Sequence, residues 1–569
     1  MRPTEARKFW PPSRDQWIAI ALFVFALGFR CLGIGWGLAN DLHNESYHPD
    51  EQVNWAVAQQ VEPAKLQFTT NFYSYGTLYF TVLGVASDIT EAYFGGPGTN
   101  EHEFWMYVSR CHIAGRLINS LAGAGTVVIL FFILRRRANL IGAVFGALLP
   151  AVAPGFVVHS RFQTVDVFAT FLFACSIFCA LAILRPADLE PPPDRLITKL
   201  AVWSGIFAGL SAGTKYTGLV ALLTLFVALF YGCRPSWIKL SLISTGAALL
   251  AFLVATPGAI LQHDKFWYDF TFEMKHVAEG HGLVFAGTSS GFVYHLGNLA
   301  LGVGPLLTLL GVAGLAWACA KKQPWAIAVA ASFLFYYIVI GRSEVKFLRY
   351  TFPLYVGLGL GFGWLISEAQ AKRAWGRAAV AAGILAVGGV DGGGLRGAAV
   401  FTQAMMSTDA RDQAAIYLKS ACKNQPTSTV GLVSDPWFYS PPLFPDSAVS
   451  RAIGIPKILY LMSQAREPAV IRYVPADLNQ RFDWDARLLD LKPDYVVYSN
   501  FEYDDLYRLS QESKLTNQER LQVSRFEDFL KRLSQEYQRD QQFGDAPVMV
   551  QDMQYVRPVI CIWKRKPNP

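Results

Sequence analysis

The first 400 residues hold apolar stretches of roughly 16 to 25 residues that recur with short polar loops between them. At 1.5 Å per helical residue, about 20 residues cross a hydrocarbon core about 30 Å thick. Nothing else in the chain restricts its fold so strongly. Charged residues make up 16% of the chain and hydrophobic ones 52%, whereas ordinary soluble domains are about 25% charged. The sequence is that of a polytopic α-helical membrane protein.

About eleven spans are predicted, near residues 17–38, 110–134, 139–158, 165–184, 201–213, 217–232, 238–257, 294–319, 324–341, 348–367 and 375–398. The first apolar stretch is long and lacks a small-residue cleavage site, so it reads as a retained helix. A net charge of +7 comes from basic residues in short loops, which set orientation rather than bind nucleic acid. Arg2, Arg7, Lys8 and Arg14 precede the first span, and Arg135, Arg136 and Arg137 follow the second. Arg185, Arg195, Lys199, Arg234, Lys239, Lys321, Lys322, Lys372, Arg373 and Arg377 fall on the same side, which is therefore cytoplasmic. Segment 74–95, interrupted by Asp88 and Glu91, reads as an amphipathic piece along the outer face rather than a span. The first outer loop is then long, about residues 39–109. Residues 201–232 read as a broken or partly re-entrant hairpin around Gly213 to Gly218, with Lys215 near the outer half of the membrane.

Residues 1–400 are thus expected to form the membrane domain and 401–569 an extracytoplasmic soluble α/β domain. Segment 409–421 reads as an amphipathic helix, segments 428–433, 469–474, 495–498 and 559–563 as strands, and 501–540 as mainly helical. Of eight cysteines, only Cys422 and Cys561 lie in this hydrophilic part; the sequence leaves open whether they pair. Walker loops, GxSxG elbows and dinucleotide fingerprints are missing, so nothing points to a nucleotide-bound substrate.

The chemistry-bearing residues gather at the outer side. His48-Pro49-Asp50-Glu51 opens a helix just past the first span; proline at the first helical position and acids in the first turn also suit helix capping alone. A second acidic helix start, Asp166, follows His159-Ser160-Arg161 on the same face, which makes a site more credible than either cluster alone. Asp50, Glu51 and Asp166 can serve as base or as oxygen ligands for a divalent cation, although no metal site is assigned. Arg116, Lys215, Lys346 and Arg349 lie at depths where a charge is costly unless it faces a polar cavity, and they suit a phosphate site. Snorkelling to the interface explains Lys346 and Arg349 equally simply. His276 and His281 have no zinc-ligand spacing; their loop is a candidate substrate contact.

These motifs resemble the GT-C superfamily of integral-membrane glycosyltransferases, in particular family 39-like enzymes such as protein O-mannosyltransferases and lipid A aminoarabinose transferases. The resemblance covers about residues 15–370. It rests on His48-Pro49-Asp50-Glu51, Gly115-Arg116, Ser160-Arg161 with Asp166, Gly209 with Thr214-Lys215-Tyr216, Gly280-His281-Gly282, and Arg349-Tyr350 with Pro353. It implies a polyprenyl-phosphate sugar donor, an acceptor hydroxyl on a glycan, lipid or protein, and inversion at the anomeric carbon. Asp50 matches the base, with Glu51 beside it, and Arg116, Lys215 and Arg349 match basic positions for the donor phosphate. His48, His159, Arg161, Tyr216 and His281 fall at candidate substrate contacts. A transferase in a bacterial plasma membrane, active on the outer face, is the leading expectation. The alternative is a transporter or flippase, which predicts repeat symmetry and charges spread through the membrane depth.

Overall fold

The computed structural model describes residues 13–184, 192–372, 375–423, 427–443, 468–474, 483–544 and 550–567. The orienting residues Arg2, Arg7, Lys8, Arg185 and Arg373 lie outside them. Each of the eleven predicted segments contains helix, although residues 32–38 of the first and 389–393 of the last are turn or irregular. Among the described residues, five helices are long and apolar enough to cross a membrane: Glu101–Arg135, Val165–Ala182, Arg234–Ala255, Pro324–Gly341 and Leu348–Ala371. The pair Gly291–Gly302 and Pro305–Ala320 meets the same test as one span bent by 114°. Gly304 at the break has φ +118°, a backbone conformation open to glycine. Shorter apolar helices fill Leu140–Val152, Tyr216–Gly232 and Gly376–Gly388.

Small residues set the helix spacing. Gly142 and Gly146 face Gly359 and Gly363, where a β-carbon on Gly142 would stand 2.4 Å from the Gly363 carbonyl. On its other side the helix Phe352–Ala371 meets Pro305–Ala320, and a β-carbon on Gly314 would stand 2.0 Å from the Gly361 carbonyl. Backbones packed this closely associate through van der Waals contact, which replaces the hydrophobic drive that lipid does not supply. The expected amphipathic segment forms the helix Leu78–Phe94, burying Tyr79, Phe80, Leu83, Gly84, Ser87 and Thr90 and exposing Val85, Ile89 and Tyr93.

Beyond the bundle, the described residues form a five-stranded sheet: β1 (Thr429–Leu432), β2 (Ala469–Ile471), β3 (Tyr495–Ser499), β4 (Tyr537–Phe543) and β5 (Ile560–Arg565), in the order β2-β1-β3-β5-β4. β2, β1 and β3 run parallel; β5 pairs antiparallel with both β3 and β4. Along β3, Tyr495 and Val497 face the helix Ala410–Cys422, while Val496 and Tyr498 face the helices Asn500–Ser510 and Asn517–Glu536. That alternation is the period of two of a strand buried on both faces. The edge strand β4 was not expected, because Tyr-Gln-Arg-Asp-Gln-Gln-Phe is a polar run with little of the usual strand composition. Cys422 and Cys561 are both free thiols.

The sheet region is fastened to the bundle through polar contacts. Arg411 binds Asp409 at 2.7 Å and the Tyr555 carbonyl at 2.7 Å, and Trp36 Nε1 donates to Asp409 at 3.1 Å. Arg508 donates to the carbonyls of Leu283, Val284 and Ala286, in the segment that follows the helix His263–Glu279.

Candidate active site

Asp50 and Glu51 are adjacent in the chain and part company in space. The helix Pro49–Ala58 starts with proline at its first position, so Asp50 and Glu51 occupy the first turn. Glu51 turns inward and is fully buried. Its two oxygens take Arg116 Nε at 2.8 Å and Nη2 at 2.6 Å, together with the Gln163 amide at 2.7 Å and Ser46 Oγ at 2.5 Å. Burial pushes its carboxyl up, but the Arg116 charge and hydrogen bonds outweigh this and hold it down at about 2. Arg116 spends its remaining donors on the carbonyls of Ile34, at 2.6 Å, and Trp36, at 2.8 Å. The pair is a bidentate buried ion pair with no face toward a substrate.

Asp50 instead points into the site, with its side chain 38% exposed. Arg349 Nη2 stands 3.3 Å from it. The same guanidinium places Nε 3.7 Å from Asp166 and Nη1 3.4 Å from Asp552, so each nitrogen faces a different carboxylate. Asp166, at the start of Val165–Ala182, also holds Lys215 Nζ at 2.5 Å. Lys215 lies where Asp194–Ala212 has ended and a 3₁₀ turn begins, and its ammonium sits 4.1 Å from the Tyr350 ring centroid. Arg349 stacks likewise on Phe347 at 4.0 Å. Two cations and the exposed Asp50 carboxylate thus share one end of the bundle, each cation oriented by a carboxylate and an aromatic face.

The other expected residues divide. His48 is buried between Phe162, at 4.3 Å, and Tyr555, at 4.8 Å, and burial depresses its imidazole despite the opposing pull of Asp50 and Glu51. His159 is buried with Nε2 3.8 Å from Asp552. Arg161 lies away from the cluster, donating to the carbonyls of Arg30 and Phe29 and to Thr402 Oγ1. Tyr216 donates to the Tyr73 carbonyl at 2.6 Å. Lys346 reaches Thr288 Oγ1 and Glu344, each at 3.1 Å, rather than the Asp166 group. His281 follows the helix His263–Glu279 and lies 3.1 Å from His276 and against Phe347. The oxygen set considered for a divalent cation does not form: Glu51 is saturated by its partners and Asp166 is engaged by two cations. Among the described residues, no three His, Cys, Asp or Glu side chains stand together as metal ligands.

Two acidic residues of this region were missed. Glu273, on His263–Glu279, has its carboxyl raised by burial, with His276, Lys215 and Arg349 pulling the other way. Asp552, from the short helix Gln551–Gln554, is fully buried, and burial raises its carboxyl against the pull of Arg349. Neither stands in a recognisable motif, so nothing in the sequence marks them.

Residues 107–260 match the sequence model of a family described as dolichyl-phosphate-mannose-protein mannosyltransferase. That stretch contains Arg116, Asp166 and Lys215. In three dimensions the chain is similar to the apo oligosaccharyltransferase of Archaeoglobus fulgidus, at 12% identity and a TM-score of 0.50 over 97% of this chain and 77% of that one. It is similar as well to ArnT from Cupriavidus metallidurans bound to undecaprenyl phosphate, at 15% identity, 97% and 98% coverage and a TM-score of 0.48. The Pmt1–Pmt2 complex of S. cerevisiae bound to the sugar donor matches over 45% of this chain and 35% of that one, at 16% identity and a TM-score of 0.33. No curated protein matches in sequence. The chain is a polytopic membrane protein that shares its fold with the archaeal oligosaccharyltransferase, and its residues 107–260 resemble the protein mannosyltransferase family.

Proposed function

We propose that the chain is an inverting membrane glycosyltransferase that moves a sugar from a polyprenyl-phosphate donor to an acceptor hydroxyl on the extracytoplasmic face. The observation that carries this reading is the contrast among carboxylates: Asp50 is 38% exposed, whereas Asp166 and Asp552, the other partners of Arg349, are 4% and 0% exposed. Asp50 alone of the three can meet an incoming hydroxyl. The family description names a lipid-phosphate sugar, and such a donor suits a site whose cations lie at the membrane boundary.

In the proposed reaction Asp50 takes the acceptor proton as the hydroxyl oxygen attacks the anomeric carbon. The bond from that carbon to the phosphate oxygen breaks, and the polyprenyl phosphate leaves with the electron pair. Lys215 and Arg349 stabilise the charge growing on the phosphate, more in the transition state than in the ground state. Arg116, expected at the phosphate, serves instead as the strut that seats the Asp50 helix through Glu51. His48 packs behind the base, and Lys346 and His281 lie at the segment that follows the helix His263–Glu279.

Asp50→Asn keeps the shape of the side chain and removes its basicity. In a purified, lipid-reconstituted assay it is expected to lower kcat by about 10² to 10⁴. Near-normal transfer by this variant would dismiss Asp50 as the base.

A further inference from the structure

We infer that Asp552 is a positioning residue for sugar transfer: through it, the C-terminal region holds the Arg349 guanidinium between the exposed base and the Lys215 phosphate site. The inference rests on the transferase reading and adds to it a working part from outside the membrane bundle.

The geometry is specific. Asp552 Oδ2 accepts from the Arg349 backbone amide at 3.2 Å and from its Nη1 at 3.4 Å. One carboxylate oxygen therefore fixes both the backbone of Arg349 and one edge of its fork. The other two nitrogens face Asp50 and Asp166. With three carboxylates around one planar cation, the guanidinium cannot turn fully onto Asp50, which would tie up the base, or onto Asp166, which would draw it from Lys215. Removing Asp552 leaves Nη1 without its carboxylate and frees the plane to rotate.

Asp552 is itself held firmly. Val550, Met553, Tyr555 and Val556 pack into the cluster that includes Leu348, Phe352 and Tyr355 of the bundle. The Tyr555 ring lies 4.8 Å from His48, the residue that leads into Pro49 and Asp50, and Phe501 stacks on Tyr555 at 5.5 Å. The same short segment thus bears on Arg349 and on the start of the base's helix. A fully buried carboxylate is costly unless paired, and a tether could have used apolar contacts alone.

The test compares Asp552→Asn, Asp552→Glu, Arg349→Lys and the Arg349→Lys/Asp552→Asn pair with wild type, as full-length protein in lipid nanodiscs. Transfer from a polyprenyl-phosphate sugar, thermal unfolding, and phenylglyoxal modification of Arg349 read by peptide mass are measured together. Asp552→Asn retains the acceptor for the Arg349 amide but loses the charge. It is expected to lower kcat by about 10², the scale of a misplacement of about 1 Å, and to speed Arg349 modification. Asp552→Glu should restore part of kcat. In the Arg349→Lys background the same change should cost less than threefold, because the two act as a unit. Unchanged kcat and unchanged modification in Asp552→Asn, or equal losses in both backgrounds, overturn the inference. If Asp552→Asn does not fold, Asp552→Glu decides by the same two readouts. Wild-type protein that transfers no sugar overturns the transferase reading instead, and the modification rates then decide the role of Asp552.

Discussion

Two neighbouring acids carry opposite jobs because of where one helix turn points them. Glu51, with Arg116, is closed off from solvent, and Glu51→Ala leaves a buried guanidinium uncompensated. Such a loss costs about 3–5 kcal/mol and should appear as a large fall in the thermal midpoint of purified protein, whereas Asp50→Asn should leave that midpoint nearly unchanged. Equal midpoints for the two variants would contradict the division of roles. The sign with pH follows from the depressed carboxyl: its folded value is about 2 against 4.5 unperturbed. The stabilisation is therefore complete above pH 4.5 and is lost as pH falls toward 2. Acid loss of activity at milder pH does not come from this pair. Asp50, Asp166, Lys215 and Arg349 were legible in the sequence, since charge is rare at that depth and each stands at a helix boundary. The inward turn of Glu51 was not, because its partner Arg116 lies 65 positions away. Asp552 lies 203 positions from Arg349, in a segment of mixed composition where a single acid carries no signal.

At the level of elements, the glycine-lined helix Phe352–Ala371 is the axis on which the site depends, since Arg349 lies in the 3₁₀ turn that leads into it. Gly363 lies against the Gly142 carbonyl, where a β-carbon would stand 2.5 Å away. Gly363→Leu must push these helices apart, at a cost of about 1–3 kcal/mol or more for overpacking. The expected readout is a lowered thermal midpoint together with lost transfer; a variant of wild-type stability would show that the close approach is not needed. The periodic apolar runs announced the helices, whereas the close glycine contacts between them appear only in the packing. The 114° bend between Gly291–Gly302 and Pro305–Ala320 was not expected, because a continuous apolar run hides a single Gly304-Pro305 step. In the sheet, strands rich in valine and isoleucine were foreseen, and polar β4 was missed because pairing with β5, not composition, makes it a strand.

For the whole molecule, the proposed orientation puts Asp50, Asp166 and the sheet region outside and Arg136 in the cytoplasm. Membrane-impermeant thiol labelling of single cysteines, introduced near Asp50, in β4 and at Arg136, should modify the first two from one side and the third from the other. Modification of Asp50-site and Arg136-site probes from the same side would defeat the eleven-span orientation. The sequence by itself determined that this chain is a helical membrane protein with an acidic helix start and scattered basic residues at one boundary. It could do so because apolar run length and helix-terminal chemistry are local properties. Only the tertiary structure decided that Arg116 pairs with buried Glu51, that Arg349 faces three carboxylates, and that the third comes from the C-terminal region. Those assignments depend on the direction of side chains brought together from distant parts of the chain, and packing alone sets that direction.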